Sequence, residues 1–228
     1  MSHRPISTWC LILALAGLAL PLARAADPRP AASDKPPKPA RDDKNVTKLF
    51  DGKTLKNWKS TDFGGEGAVK VENGQIIVSA GSTLSGVTWN GAALPKVNYE
   101  IELDAMKLSG SDFFLGLTFP FKENHASIIL GGWGGSLVGI SSIGGNDAAN
   151  NEYMSTKEFP KDKWFHVRLR VTADHIKVWL EDADDPVIDV ETENKDISTR
   201  ADIDAAKPLG LSTYQTSAAY KNITLRKL

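Results

Sequence analysis

The chain has 228 residues, and 27 basic residues nearly balance 28 acidic ones, so the formal net charge is −1. Hydrophobic residues make up 41% of the chain, which fits a globular protein and excludes a disordered or collagen-like one. The charge balance argues against a nucleic-acid partner, which normally requires a basic patch. Because Cys10 is the single cysteine, an intramolecular disulfide and a thiolate metal cluster are excluded.

The N-terminus predicts a signal peptide over residues 1–25. Residues 9–20 form an apolar run that is too short to span a hydrocarbon core of about 30 Å. Ala23-Arg24-Ala25 then supplies the small residues that a signal peptidase needs. We therefore expect an exported protein, periplasmic or extracellular, with no membrane span after cleavage; an uncleaved anchor is the alternative.

Residues 26–46 hold five of the 12 prolines and almost no large apolar side chains. Such a segment buries too little surface to fold, and its composition predicts an extended, disordered Pro-rich tether. Residues 47–228 have the length of one domain. No particular oligomeric state is predicted.

The sequence of the domain predicts β-strands along its length. Asn73-Gly74, between two short apolar runs, predicts a tight hairpin because both residues accept positive φ angles. Apolar and polar residues alternate with the period of a half-buried strand in 99–105, 113–119, 165–171 and 176–180. We count about 12 strands and little helix, with one helical turn expected within 196–206. So many strands predict an all-β, two-sheet sandwich of the jelly-roll kind.

Two of these strands carry charged polar faces. The acidic one has Glu100, Glu102 and Asp104, and the basic one has His166, Arg168 and Arg170. In one sheet they would form a cross-strand lattice of opposite charges. One interpretation is surface ion pairing, which contributes little to stability. The other is the floor of a binding sheet, with Trp179 and Phe114 as aromatic platforms.

The segment 131–152 is the most unusual, because seven of the 19 glycines fall between 131 and 145. Glycine weakens a strand unless a ligand or another backbone must come close. An aromatic ring beside amides and carboxylates suits a sugar, since the ring packs on C–H groups while the polar groups take hydroxyls. The candidate residues are Trp133, Asn146, Asp147, Asn150, Asn151 and Glu152. The alternative is a mobile glycine hairpin whose Trp133 fills the core.

The sequence offers fewer candidates for a general base or a metal ligand. His125 precedes a strand near the glycine segment and is the best candidate general base, with an exposed loop histidine as the alternative. No zinc-protease spacing occurs, so a catalytic zinc is not predicted. Asn146, Asp147, Asn150 and Glu152 are oxygen donors of the kind that Ca²⁺ takes, which leaves a divalent cation open as a cofactor although no EF-hand loop is present.

Three stretches together resemble the 3-keto-disaccharide hydrolase domain family. Residues 49–58 (LFDGKTLKNW) resemble its opening motif, 71–78 (VENGQIIV) its hairpin, and 219–225 (AYKNITL), with Gly210-Leu211, its last strands. The resemblance implies a concanavalin A-like, laminin G-like sandwich. It also implies cleavage of a glycosidic bond in a sugar oxidised at C3, by base-assisted elimination followed by hydration.

The resemblance carries over two acidic positions, Glu100 and Asp104. The middle of the chain departs from the family pattern: 111–117 lacks the family's Asn-Ser-Gly and closing Arg, and 125–133 lacks its Glu, Gln and Asp.

Two hypotheses follow. In the first, an enzyme uses a pocket with Glu100, Asp104, His125, Asp147 and Glu152 as catalytic candidates, and with Trp133, Asn146, Asn150, Asn151, Trp179 and Arg168 binding a carbohydrate. In the second, which the departures favour, the same surface belongs to a non-catalytic carbohydrate-binding or cell-surface interaction module.

Overall fold

A computed structural model of the protein describes residues 45–228. The predicted signal peptide and most of the predicted tether lie outside these residues. The described strands are β1 (Val46–Lys48), β2 (Trp58–Ser60), β3 (Val69–Glu72), β4 (Gln75–Val78), β5 (Leu84–Trp89), β6 (Tyr99–Ser109), β7 (Leu115–Phe121), β8 (Asn124–Gly131), β9 (Leu137–Ser141), β10 (Ser155–Thr156), β11 (Trp164–Val171), β12 (His175–Leu180), β13 (Ile188–Glu191), β14 (Gly210–Tyr214) and β15 (Ser217–Lys227). A tight turn, α1 (Gly132–Gly135), in which Trp133 and Gly134 have positive φ angles, and a 3₁₀ helix (Ala201–Ala206) interrupt them.

The strands form two antiparallel sheets. Sheet A has the order β13-β12-β11-β6-β15-β4-β3, with β1 also paired to β15. Sheet B has the order β10-β9-β8-β7-β14-β5-β2. The all-β class and the two-sheet sandwich are confirmed. The strand count exceeds the expected 12 because edge pieces such as β1, β2 and β10 are two or three residues long and too short to show alternation. Strand β1 begins at Val46, one residue inside the predicted tether.

The core lies between the sheets, where the predicted alternation places it. In β6, Ile101 and Leu103 are fully buried, and in β7 Leu117 and Phe119 are fully buried from the other sheet. Each such side chain contributes about 1.5–3 kcal/mol through burial. This double layer holds the outer faces of both sheets at fixed positions.

Two buried tyrosines tie the sheets together through hydrogen bonds. Tyr220 on β15 donates its hydroxyl to the carbonyl oxygen of Phe114 at 2.6 Å, and Tyr99 on β6 donates to that of Pro120 at 2.5 Å. A buried hydroxyl without a partner is costly, so these bonds fix the register of one sheet on the other. Burial raises the pKa of both phenols.

The predicted hairpin is confirmed. Strands β3 and β4 pair from Val69 with Val78 to Glu72 with Gln75, and the turn residues Asn73 and Gly74 have φ angles of 51° and 78°. The expected helical turn is also present, as the 3₁₀ helix. No helix among residues 45–228 is long and apolar enough to cross a membrane.

Two segments pack directly against the outer face of sheet B, and each of them approaches a glycine of that sheet closely. A Cβ built on Gly139 of β9 would lie 2.7 Å from the carbonyl oxygen of Ala148. A Cβ on Gly210 of β14 would lie 2.6 Å from the Cβ of Ala206, in the 3₁₀ helix. Glycines inside these strands are therefore required by close approach of the covering chain. Between the two covering segments the sheet stays open.

Candidate functional site

The gap between the covering segments is a cavity of about 340 Å³ on the outer face of sheet B. That volume lies at the lower end of the range for small-molecule sites, about 300–1,000 Å³. The lining combines aromatic, hydroxyl and charged side chains. It consists of Leu84, Asp112, Phe113, Ser127, Ile129, Trp133, Ser141, Asp147, Arg200, Asp202, Ile203 and Tyr214.

The floor of the cavity is polar although it is buried. Ser127 on β8 shares a hydrogen bond of 2.9 Å with Thr118 on β7, and Ser141 on β9 lies 3.2 Å from the hydroxyl of Ser142. The hydroxyl of Ser212, on the same face of β14, has no partner within residues 45–228. Of these residues Ser127 and Ser141 line the cavity, and their hydroxyls can both donate and accept, so the floor suits a ligand that carries hydroxyl groups.

Aromatic rings form one end of the cavity. Trp133 sits in α1 with a φ angle of 47° and is 49% exposed. Phe113 and Tyr214 lie side by side, with ring centroids 6.1 Å apart and an interplanar angle of 33°. The prediction that Trp133 lines a ligand cavity agrees with this geometry, and the alternative that it fills the core is wrong. An exposed indole next to two further rings can pack on the C–H face of a sugar.

The other end of the cavity is charged. The guanidinium of Arg200 binds the carboxylate of Asp147 at 3.1 Å and that of Asp202 at 3.3 Å. Hydrogen bonds and charge from Asp202, and from Asp147, raise the pKa of Arg200. Asp147 also accepts hydrogen bonds from the backbone of Ala149 and the amide of Asn150, at 3.0 Å and 2.8 Å. The guanidinium of Arg200 is therefore held in a fixed position between two carboxylates.

Asp112 is the third carboxylate of the lining, and the sequence analysis did not single it out. Its Oδ1 accepts a hydrogen bond of 2.7 Å from the backbone N–H of Phe113. Its Oδ2 receives no hydrogen bond from residues 45–228. The sequence signal that could have identified it is a single acidic residue that follows Gly110-Ser111 and directly precedes an apolar strand. Arg200 was missed because it lies 53 residues along the chain from Asp147, the carboxylate that it binds at the cavity, and Asp202 belongs to the same segment as Arg200.

A wide, open cleft adjoins the cavity and shares Asp147, Arg200 and Asp202 with it. Asn146 and Asn150, both predicted binding residues, line this cleft together with Ser198 and Thr199. Asn151, also a predicted binding residue, has a structural role, because its amide donates to the carbonyl oxygens of Ile140 and Asp147, each at 2.8 Å. That pair of bonds holds the covering loop on sheet B.

Two other predicted residues of this region line neither the cavity nor the cleft. Glu152 forms an exposed ion pair of 2.8 Å with Lys195, whose hydrogen bond lowers the pKa of the Glu152 carboxyl. His125 lies on the same face of β8 as Ser127 but beside the end of the 3₁₀ helix. Burial, and then the charge of Lys207, lowers the pKa of His125, so its ring is neutral at pH 7.

The predicted oxygen donors for Ca²⁺ are engaged elsewhere. Asp147 is paired with Arg200 and Glu152 with Lys195, so separate cations already neutralise the two carboxylates. Within the described part of the chain no cluster of three or more His, Cys, Asp or Glu side chains is arranged to hold a metal ion.

The remaining predicted residues lie on the outer face of sheet A, on the opposite side of the sandwich. Glu100 pairs in register with Arg170 and Arg226, Glu102 with Arg168, and Asp104 with His166. The predicted charge lattice is therefore real. A single pocket holding Glu100 and Asp104 together with Trp133 and Asp147 does not form, because β6 and β8 belong to different sheets.

Glu100 is the buried centre of that lattice, with a side chain only 1% exposed. It contacts Arg170 at 2.6 Å, Arg168 at 3.6 Å and also Arg226. Burial opposes ionisation of Glu100, but the hydrogen bonds and charges of Arg170 and Arg226 outweigh it and lower the pKa. Glu100 therefore remains charged at neutral pH.

Neither proposed aromatic platform is open. The guanidinium of Arg168 lies 3.7 Å from the ring centroid of Trp179, whose indole N–H donates to the carbonyl oxygen of Asp184 at 3.2 Å. Trp179 is 7% exposed, and Phe114 is fully buried in the core. Asp104 binds His166 at 2.9 Å and Asn222 at 2.6 Å. This face is an interlocked network of ion pairs and stacked rings.

The model of the 3-keto-alpha-glucoside-1,2-lyase-like domain matches residues 45–226. Comparison with curated protein sequences gives no match.

Solved structures share the sandwich at low identity. A Parabacteroides distasonis ATCC 8503 protein proposed to be a glycosyl hydrolase is 14% identical, with 81% of this chain and 94% of that chain covered and a TM-score of 0.51. Crh5 transglycosylase in complex with NAG is 10% identical, with 80% and 83% covered and a TM-score of 0.55. A Bacillus subtilis protein with a galectin-like fold is 8% identical, with 80% and 94% covered and a TM-score of 0.53. These likenesses confirm the concanavalin A-like sandwich, and the family match over 45–226 shows that the chain belongs to the 3-keto-alpha-glucoside-1,2-lyase-like domain family.

Proposed function

We propose that the protein binds a glycoside in the cavity on sheet B and cleaves it when the sugar is oxidised at C3. The observation that carries this proposal is the meeting of an exposed Trp133, a hydroxyl-lined floor and the Asp147–Arg200 pair around one cavity. Aromatic and polar groups that converge in this way are typical of sugar sites. Family membership and the sugar-related names of two structural neighbours support the same ligand class.

The chemistry requires a base and a group that stabilises negative charge. A ketone at C3 acidifies the hydrogen at C2, and a carboxylate removes that proton. The electrons of the C2–H bond then form a double bond between C1 and C2 while the glycosidic C1–O bond breaks, and the leaving oxygen takes up a proton. Water adds across the double bond to give the free 3-keto sugar.

Different lining residues supply the base, the charge-stabilising group and the contact that positions the sugar. Asp112 is the better base, because its Oδ2 has no hydrogen-bond partner within residues 45–228, whereas Asp147 already accepts three hydrogen bonds. Arg200 is the cation that stabilises the oxygen at C3 as negative charge develops there. Trp133 positions the ring. Asp147 holds Arg200 in place and is the second candidate base.

Turnover of a 3-keto-disaccharide tests this proposal. The wild type should release reducing sugar, Asp112→Asn should lower the rate by at least about 100-fold, as expected for loss of a general base, and Asp185→Asn, an exposed control, should leave it unchanged. A wild-type rate equal to that of a buffer blank would overturn the enzymatic proposal.

A second candidate is a non-catalytic carbohydrate-binding module. It is favoured by the position of His125 outside the cavity and by the full pairing of Asp147. In that case glycans bind without turnover, and Trp133→Ala weakens binding. If the protein binds no glycan but light scattering shows that it self-associates, the surface-interaction alternative gains support.

We also propose export to the periplasm or the exterior, on the apolar run of residues 9–20 and the Ala23-Arg24-Ala25 site. N-terminal sequencing of the secreted protein should begin at Ala26. An intact Met1 on the exported protein would contradict cleavage.

A further inference from the structure

We propose that the open cleft beside the cavity holds the leaving group of the glycoside, and that this leaving group is a chain of more than one unmodified sugar residue. The oxidised ring in the cavity is then the end residue of an oligosaccharide. This inference rests on the proposed function and narrows its substrate class.

The cleft and the cavity meet at three charged side chains. Asp147, Arg200 and Asp202 line both of them. Arg200 binds the two carboxylates at 3.1 Å and 3.3 Å, so the junction is held in place by ion pairs. A substituent that leaves a cavity-bound ring at this charged end therefore enters the cleft.

The cleft has room for more than one sugar ring. Its volume is about 770 Å³, against about 340 Å³ for the cavity. If the cavity holds the single oxidised ring, a space more than twice as large accommodates two further rings. Because the cleft is open to solvent, a longer chain can continue out of it.

The lining of the cleft suits hydroxyl groups and offers nothing on which an aromatic leaving group could stack. Apart from the three shared residues it consists of Ser142, Gly145, Asn146, Asn150, Ser198, Thr199 and Ala201. The hydroxyl of Ser198 and the side-chain carbonyl oxygens of Asn146 and Asn150 have no hydrogen-bond partner within the described part of the chain. A hydroxyl both donates and accepts, and an amide oxygen accepts, so these groups can pair with the hydroxyls of a sugar chain.

Backbone hydrogen bonds join the two walls of the cleft. The N–H of Ser198 donates to the carbonyl oxygen of Ser142 at 3.1 Å, and the N–H of Gly144 donates to that of Asp196 at 2.8 Å. Ile143, between the two bonds, is buried in the core. The cleft is therefore formed before a ligand arrives, which reduces the entropic cost of binding.

Calorimetric titration with sugars of increasing length tests the proposal. The probes are methyl α-glucoside, maltose, maltotriose and 4-nitrophenyl α-glucoside, chosen as α-glucosides because the matching family model describes an alpha-glucoside lyase. Maltotriose should bind about tenfold more tightly than methyl α-glucoside, a difference of about 1.4 kcal/mol. The nitrophenyl glucoside should bind no more tightly than maltose, because the cleft has no aromatic side chain among its lining residues.

Two single variants assign the preference for length to the cleft. Asn146→Ala and Ser198→Ala should each reduce the preference for maltotriose over methyl α-glucoside by about 2- to 10-fold, as expected for the loss of one hydrogen bond. The matched control is Asn124→Ala, which removes an exposed asparagine outside the cleft and should leave the preference unchanged. Because Asn146 is also exposed, its variant should keep the wild-type Tm, so a change in binding does not reflect unfolding.

Several results would overturn the inference. These are equal affinity for methyl α-glucoside and maltotriose, a preference for length that both cleft variants retain in full, tighter binding of the nitrophenyl glucoside than of maltose, or no binding of any probe. Turnover of the 3-keto derivatives of methyl α-glucoside and maltotriose at equal kcat/KM would leave the proposed function standing and refute only the role of the cleft.

Discussion

The buried carboxylate of Glu100 gives the sharpest prediction for stability. Glu100→Gln keeps the shape of the side chain but removes the negative charge that Arg168, Arg170 and Arg226 surround. Removing one partner of a buried ion pair costs about 3–5 kcal/mol, and Glu100 is the 1% exposed partner of three arginine side chains that are themselves 11%, 39% and 22% exposed. For a domain of this size, 1 kcal/mol corresponds to about 2–4 °C in Tm. We therefore expect a loss of at least about 6 °C.

Urea and thermal unfolding followed by circular dichroism measure this loss. The matched control is Glu123→Gln, which removes a carboxylate from an ion pair with Lys96 whose glutamate side chain is 89% exposed. That variant should change stability little, since exposed ion pairs contribute little. If the two variants lose the same unfolding free energy, the interpretation that the buried Glu100 carboxylate stabilises the outer face of sheet A is refuted.

Three further predictions concern pH, packing and binding. The pKa of Glu100 is lower in the folded than in the unfolded protein, so its contribution to stability is present above about pH 4.3 and is lost as the pH falls through the folded pKa. In a series of urea unfolding experiments at different pH values, Glu100→Gln should therefore lose less unfolding free energy on acidification than the wild type does. An equal loss in both proteins would contradict the lowered pKa. Gly139→Ala places a methyl group 2.7 Å from the Ala148 carbonyl oxygen and should cost about 1–3 kcal/mol in urea unfolding, whereas no loss would show that the covering loop is not seated on β9. Trp133→Ala should weaken glycoside binding in calorimetry while the Tm stays within about 2 °C, because the ring is half exposed and lies outside the core.

Alternation along the chain was sufficient to predict the architecture. It identified the inward faces of β6, β7, β11 and β12 and the charged outer face of β6 and β11, because one buried face requires apolar residues at every second position. The hairpin at Asn73-Gly74 was predictable for a local reason, the positive φ angles of its turn.

The assembly of the site was only partly predictable. Alternation assigns a residue to a face but does not say which sheet its strand joins, so Glu100 and Trp133 were placed in one pocket that the sheet order divides. Trp133 and Asp147 were found because glycine-rich sequence marked their segment. Arg200 and Asp112 were missed because long-range packing brings them to the cavity from loops with no periodic signal.

The most direct test is a crystal structure with a non-cleavable glycoside, in which the position of the sugar is observed. The account predicts electron density for the ring on the outer face of sheet B, packed on Trp133 and within hydrogen-bond distance of Asp112 or Arg200. A sugar bound instead on the charged outer face of sheet A, beside Trp179 and Glu100, would contradict it.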